Sequence, residues 1–211
     1  YEKGKSTNIG DVYVATGDKE IFDEVVKNKG KSVLTLKDHF TGTDRIFEAY
    51  KQLNLNDVDY VINLQGDEPL IDIEDIINLN NLAIKNNSDI ATLACKLDSS
   101  HNENQNIVKV ICNKNIEKEQ FSSAKFFLRV VGTKKFENIY HHIGIYIYKV
   151  TALEKFVNLK QSSNEIEFKL EQLRAIDNNM KIDVIFANSA PIGVDTDEDY
   201  MEIKKLMEYK S

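Results

Sequence analysis

A chain of 211 residues with 27 basic against 34 acidic side chains carries a net charge of −7, which excludes nucleic-acid binding through an overall positive field. Its 42% hydrophobic content fills a core, yet no apolar run approaches the ~20 residues of a membrane span, so a cytoplasmic protein without a membrane partner is expected. Cys95 and Cys112 both sit in β-branched, apolar surroundings, which predicts two buried thiols in a reducing compartment. No Pro-rich or Gly/Ser-rich linker divides the sequence, so residues 1–211 are read as a single domain with a small protruding element.

The elements alternate along the chain. Residues 11–16 read as a strand, and Ile21, Phe22, Val25 and Val26 then recur at helical spacing until Lys29-Gly30-Lys31. A short strand at 32–36 and a polar loop lead to a helix with Ile46, Phe47, Tyr50 and Leu53 inward and Thr43 as N-cap. A strand at 58–64 precedes an amphipathic helix carrying Ile73, Ile76, Ile77 and Ile84 on one face, and residues 89–95 form the next strand. This order predicts an α/β fold with a doubly wound, mostly parallel sheet. Strands at 107–112 and 140–148, separated by about thirty mixed residues, predict a small antiparallel excursion. Helices near 153–157 and 165–176 follow, the second burying Ile166, Leu170 and Leu173. A strand at 182–186 and a closing helix with Tyr200, Ile203, Leu206 and Met207 inward complete the chain.

Chemistry concentrates at strand ends. Gln65-Gly66-Asp67-Glu68-Pro69 follows the apolar run 60–64, where open α/β sheets keep their ligands. Asp67 serves either as the cap of that turn or as a metal ligand; Gly66 and Pro69, which shape the turn around it, favour the ligand. A second acidic turn, Gly193-Val194-Asp195-Thr196-Asp197, follows the strand at 182–186, and two carboxylates at strand ends suggest a shared Mg²⁺. The second turn is not an EF-hand, since Tyr200 and Leu206 stand where Gly and Glu are needed. Asp197, Glu198 and Asp199 read as an acidic helix start. The loop Thr41-Gly42-Thr43 opens a helix and offers backbone N–H groups to a phosphate or sugar, without the Gly-Lys-Ser/Thr of a Walker loop. Arg45 in that first turn grips an anion or is a solvated surface residue. His141 and His142 alternate across a strand and cannot share one metal; one of them points inside.

The ordered segments Val14-Ala15-Thr16, Gly42-Thr43-Asp44-Arg45, Leu64-Gln65-Gly66-Asp67-Glu68-Pro69, Ala91-Thr92-Leu93-Ala94, Asn106-Ile107-Val108-Lys109-Val110, His142-Ile143-Gly144-Ile145-Tyr146, Leu170-Glu171-Gln172-Leu173-Arg174 and Gly193-Val194-Asp195-Thr196 together resemble the 3-deoxy-manno-octulosonate cytidylyltransferases, also called CMP-Kdo synthetases. The resemblance implies a nucleotide-diphospho-sugar transferase-like fold, and transfer of CMP from CTP to Kdo with release of pyrophosphate, for lipopolysaccharide synthesis. It implies Mg²⁺ held by Asp67 and Asp195, which are also the catalytic residues. It places Arg45, Gln65, His142, Tyr146, Glu171 and Gln172 around the sugar acid and Thr41, Gly42 and Thr43 on the nucleotide, and it favours a homodimer. A related acidic sugar, such as an 8-amino-Kdo or a nonulosonate, and a non-catalytic sugar or nucleotide binder stay open beside it.

The departures are specific. Nothing before Asp11 matches the family's first strand and its Arg, Gly and Lys loop for the triphosphate, so roughly 35 further residues upstream are expected, the size of an ordinary strand, loop and helix unit. Gly17 stands where the family has Asp, Ser123 where it has Arg, with Lys125 or Arg129 as substitutes, and Phe168 where it has Glu. The stretch 116–120 is more polar than the family's strand there.

Overall fold

Polar side chains that satisfy the first backbone N–H groups decide where the helices begin. The computed structural model describes residues 1–188, 190–191, 193–194 and 196–208. A short helix α1 (Glu2–Ser6), not anticipated from the sequence, precedes β1 (Val14–Thr16). Asp18 accepts from the N–H groups of Glu20 and Ile21 and starts α2 (Lys19–Lys27), which leads to β2 (Ser32–Leu34), parallel to β1. The N-cap of α3 (Gly42–Leu53) is Thr41, whose hydroxyl oxygen accepts from Asp44 N–H. Thr43, expected in that role, lies inside the first turn and is fully buried. After β3 (Tyr60–Asn63), Asp72 caps α4 (Ile73–Lys85), which buries Ile76, Leu79 and Ala83. Ile84, expected on that face, is half exposed, because the buried stripe runs through 76, 79 and 83.

The central strand β4 (Ile90–Lys96) is buried over all but its last residue. Next come β5 (Lys109–Cys112) and α5 (Ile116–Glu119), capped by Asn115. The polar stretch 116–120 is thus a single helical turn ended by left-handed Gln120 at φ 62°. It feeds an unanticipated strand, β6 (Phe121–Leu128), and then the long β7 (Ile139–Lys149). The helices α6 (Val150–Val157), α7 (Ser163–Phe168) and α8 (Gln172–Asp177) follow, then β8 (Ile182–Phe186) and α9 (Asp197–Glu208). The single helix expected over 165–176 is broken at left-handed Lys169, so Ile166 points outward while Leu170 and Leu173 are buried. In α9 only Ile203 of the expected face is buried; Tyr200 and Leu206 are exposed, and the Met207 side chain lies outside the described part.

The mostly parallel sheet is not what forms. The strand order is β3-β7-β4-β8-β6-β5, and of its pairings only β4–β8 is parallel. β3 and β4 do run parallel to each other, as their α4 crossover requires, but β7 is inserted between them, antiparallel to both. The edge of β7 that pairs with β3 at one end pairs with β5 at the other, so β7, β4, β8, β6 and β5 close on themselves. Residues alternate across this sheet: Ile143, Ile145 and Ile147 pack with Ile76 and Leu79 of α4, while Tyr146 and Tyr148 join a second core with Phe156 and Leu173. Cys95 and Cys112 are buried free thiols, pushed by burial up to about 11 and about 12. Among the described residues no helix is long and apolar enough to cross a membrane.

The junction of α7 and α8 rests on a buried ion pair. Glu165 completes the capping box with Ser162 and receives Arg174 Nε at 2.8 Å and Nη2 at 2.5 Å. Both side chains are almost wholly buried, and the guanidinium lies over the Phe156 ring at 4.7 Å. Replacing Arg174 by Met strands the Glu165 carboxylate in the core; a loss of about 3–5 kcal/mol in urea unfolding is expected. The double variant with Glu165→Gln should recover part of it.

Candidate active site

The turn after β3 is stapled to β7. Gln65 Nε2 donates to the carbonyl of Gly144 at 2.9 Å, and Gly144 N–H donates to Glu68 Oε1 at 3.1 Å. The staple is possible because β7 slips against β4: Thr92 faces Tyr146 but the next residue, Leu93, faces Ile143, so Gly144 and Ile145 bulge out of register. A side chain at 144 would begin 3.3 Å from Glu68 Oε1, so the carboxylate would have to give by a few tenths of an ångström to keep its bond to the N–H. On the other side, Val194 N–H donates to the backbone carbonyl of Asp67 at 2.8 Å. Asp67 therefore presents an exposed carboxylate from a turn held at both ends, one residue in space from the segment that leads into position 195. Asp195 itself lies outside the described residues.

Behind this turn, the face of β7 that carries His142, Tyr146 and Tyr148 is polar and buried. Thr92 donates its hydroxyl proton to the backbone, with Ile145 O at 2.7 Å, so its oxygen accepts from His142 Nε2 at 3.0 Å. That bond selects the Nε2–H tautomer and leaves Nδ1 as an acceptor. Burial, with His141 adding like charge, depresses His142 to about 3, so the imidazole is neutral. His141, on the opposite face, is also held low, at about 4, by burial and by His101 and Lys109. The His142 ring packs against Tyr146 at 5.5 Å and edge-on to Phe127 at 5.2 Å.

The start of α3 closes the third side. Tyr148 donates to Thr43 Oγ1 at 3.2 Å, and Thr43 in turn donates to Glu171 Oε1. Glu171 is the residue that starts α8, so the break at Lys169 is what turns its carboxylate toward the N-terminus of α3. Burial raises Glu171, while hydrogen bonds from Thr43 and Thr41 and the nearby Arg174 pull it back. The Tyr146 and Tyr148 hydroxyls are raised well above the usual phenol range, chiefly by burial. The N-terminus of α3 thus already holds one carboxylate, as its dipole favours.

The structure brings Gln65, His142, Tyr146, Thr43 and Glu171 to the same face of the sheet, with buried Gln172 following Glu171. Arg45 is engaged elsewhere: Nη1 donates to Thr35 Oγ1 at 2.7 Å and to Leu36 O at 3.0 Å, and Nη2 donates to Lys37 O at 3.1 Å. It fills the space beside Gly17, where any Cβ would sit 2.7 Å from Nη1. Arg129, considered as a stand-in for the arginine replaced by Ser123, spends its donors on the carbonyls of Gln105, Phe168 and Lys169. Thr92 and Tyr148 join this cluster without a role read from the sequence; for Thr92 the available signal is a hydroxyl within the apolar run Ile90-Ala91-Thr92-Leu93-Ala94. Exposed Asp67 suits a hard cation, and Mg²⁺ commonly takes one or two carboxylates with substrate phosphates. Among the described residues no group of three or more His, Cys, Asp or Glu forms a cage.

Comparison with known proteins identifies the family. The family model described as "Cytidylyltransferase" matches residues 3–182. The chain is 41% identical to the 3-deoxy-manno-octulosonate cytidylyltransferase of Thermodesulfovibrio yellowstonii, over 98% of this chain and 86% of the relative. It is 36% identical to that of Bartonella tribocorum, over 98% and 85%. Among solved structures, it is similar to a CMP:2-keto-3-deoxy-manno-octonic acid synthetase complexed with CTP, at TM-score 0.89 and 28% identity, covering all of this chain and 86% of the other.

A neutral, buried His142 has a signature in stability. The unfolded chain takes up the proton near 6.5 and the folded imidazole only near 3, so the contribution is complete above pH 6.5 and is lost as pH falls through that interval. Between pH 6 and 4 the unfolding free energy should drop with a slope steeper by up to about 1.4 kcal/mol per pH unit than in His142→Gln, measured by urea titration.

Proposed function

Because the chain belongs to the 3-deoxy-manno-octulosonate cytidylyltransferase family, we propose that it transfers CMP from CTP to 3-deoxy-manno-octulosonate and releases pyrophosphate. The observation that carries this reading is the stapled turn: Gln65 and Glu68 fixed on Gly144, with Asp67 projecting from between them beside the chain leading to Asp195. The reaction forms a bond from the sugar's anomeric oxygen to the α-phosphorus of CTP and breaks the bond from that phosphorus to the bridging oxygen, which leaves on pyrophosphate, while the hydroxyl proton passes to solvent water.

In this reading Asp67 and Asp195 hold Mg²⁺, which would neutralise phosphate charge and acidify the attacking hydroxyl. His142 Nδ1 accepts a sugar hydroxyl without competing for its charge state, since burial keeps the ring neutral. Gln65, Tyr146, Glu171 and Gln172 line the sugar-acid side, and Thr41, Gly42 and Thr43 the nucleotide side. A homodimer belongs to the same proposal.

Pyrophosphate release with CTP, Mg²⁺ and Kdo tests the reading directly. Activity with a nonulosonate and none with Kdo would move the substrate assignment. Asp67→Asn should cut kcat by about a thousandfold or more with the melting temperature unchanged, because the exposed carboxylate supports the reaction rather than the fold. Near-normal turnover in that variant would remove Asp67 from the mechanism.

A further inference from the structure

β3 carries an amide that pairs with no other group among the described residues. Within the apolar run of Tyr60, Val61 and Ile62, Asn63 is only 5% exposed, and its Nδ2 is buried without a hydrogen-bond partner among them. A buried N–H₂ left unpaired costs stability, so its presence in a core strand calls for a partner that arrives from outside the fold. Asn63 shares its face with Val61, which, like Ile46 and Phe47 of α3, packs against the core that contains Tyr146 and Tyr148, and its register partner on β7 is Tyr146. Its amide is turned toward the first residue of α3: a Cβ built on Gly42 would lie 3.6 Å from Nδ2 and meet nothing else within 4 Å. Gly42 is exposed, so the way from solvent to the amide passes over a residue without a side chain.

We propose that Asn63 is a substrate-binding residue, its Nδ2 donating to an acceptor oxygen of bound substrate that enters over Gly42 at the N-terminus of α3. The twelve-residue helix starts at the same place, and because the Glu171 carboxylate already takes up part of its positive end there, the amide is what selects the oxygen. That oxygen belongs either to the sugar acid or to the nucleotide, and the inference rests on the cytidylyltransferase reading of the site. The side chain's cost in the free protein and its use in the complex are then one fact seen in two states.

Two variants test it without disturbing the fold. Asn63→Val removes the unpaired amide from an apolar strand, so the free protein should melt at the same temperature or higher. Gly42→Ala keeps the amide and covers it with a methyl group at ordinary contact distance. Melting temperatures are measured with CTP alone and with Kdo alone, and KM for each. Both variants should lose most of the thermal shift given by one and the same substrate, with its KM raised about tenfold, the value of one hydrogen bond. Loss of the CTP response places the oxygen on the nucleotide; loss of the Kdo response places it on the sugar acid. Variants that keep wild-type shifts and KM values overturn the role of Asn63 alone, as does an Asn63→Val protein that melts lower with KM unchanged. A wild-type protein that responds to neither CTP nor Kdo overturns the reading of the site and this inference with it.

Discussion

The course of β7 is the constraint on which the rest depends. One strand separates β3 from β4, closes the sheet through β5, and carries on one face the isoleucines of one core and on the other the histidine and tyrosines of the site. Its slip at Gly144 and Ile145 exposes a backbone N–H and C=O that regular pairing would consume, and the turn after β3 takes both. An exposed carboxylate on a surface turn is ordinarily a mobile group. Here Asp67 is fixed because its neighbours are bound to the middle of a sheet, and its own carbonyl to Val194.

The buried polar groups around that strand are arranged so that few charges face low dielectric unpaired. Tyr148, Thr43 and Glu171 form a directional chain ending on the carboxylate, and that carboxylate sits at a helix N-terminus. Arg174 is bound to Glu165 and stacked on Phe156, with Asp44 3.8 Å away. His142 avoids the problem by staying neutral. Lys109 is fully buried and donates to the carbonyls of Asn104 and Arg129, bonds that offset part of the cost by which burial pulls its pKa down. A site built this way is preorganised: its dipoles are oriented before a charged substrate arrives.

Most element positions were legible because they rest on local signals: apolar periodicity, Asx and Thr caps, and glycine or asparagine at helix ends. The sheet's mixed character was not, since β3 and β4 with their α4 crossover look the same in sequence whether they touch or admit a third strand between them. β6 was hidden because Phe121-Ser122-Ser123-Ala124 alternates weakly, and its partners Val110 and Val184 are distant in sequence. The break between α7 and α8 was hidden for another reason. Lys169 adopts a left-handed conformation that its type does not advertise, and the gain that offsets it is tertiary: Glu171 turned to α3 and Arg129 bound to the carbonyls of Phe168 and Lys169. Gln65, His142, Tyr146 and Glu171 could be named from motifs, but the Thr92 hydroxyl that sets the histidine tautomer is a matter of register.

Arg45 shows where motif and geometry part. The resemblance implies Arg45 beside the sugar acid; in the free protein its side chain ties α3 to the loop after β2, with donors on Thr35, Leu36 and Lys37. Gly17 is what admits it: a Cβ at 17 would lie 2.7 Å from Nη1 and 2.8 Å from Leu36 O, so the guanidinium and the loop backbone would have to shift. Glu48 fastens the same loop from the next turn of α3, accepting from Leu36 N–H and from His39. For Arg45 to reach a substrate carboxylate it must exchange these hydrogen bonds for a bidentate pair, and a charged acceptor outbids neutral carbonyls only where water is excluded. Gly17 therefore gives the guanidinium its place against the loop after β2, where Thr35, Leu36 and Lys37 take up its donors.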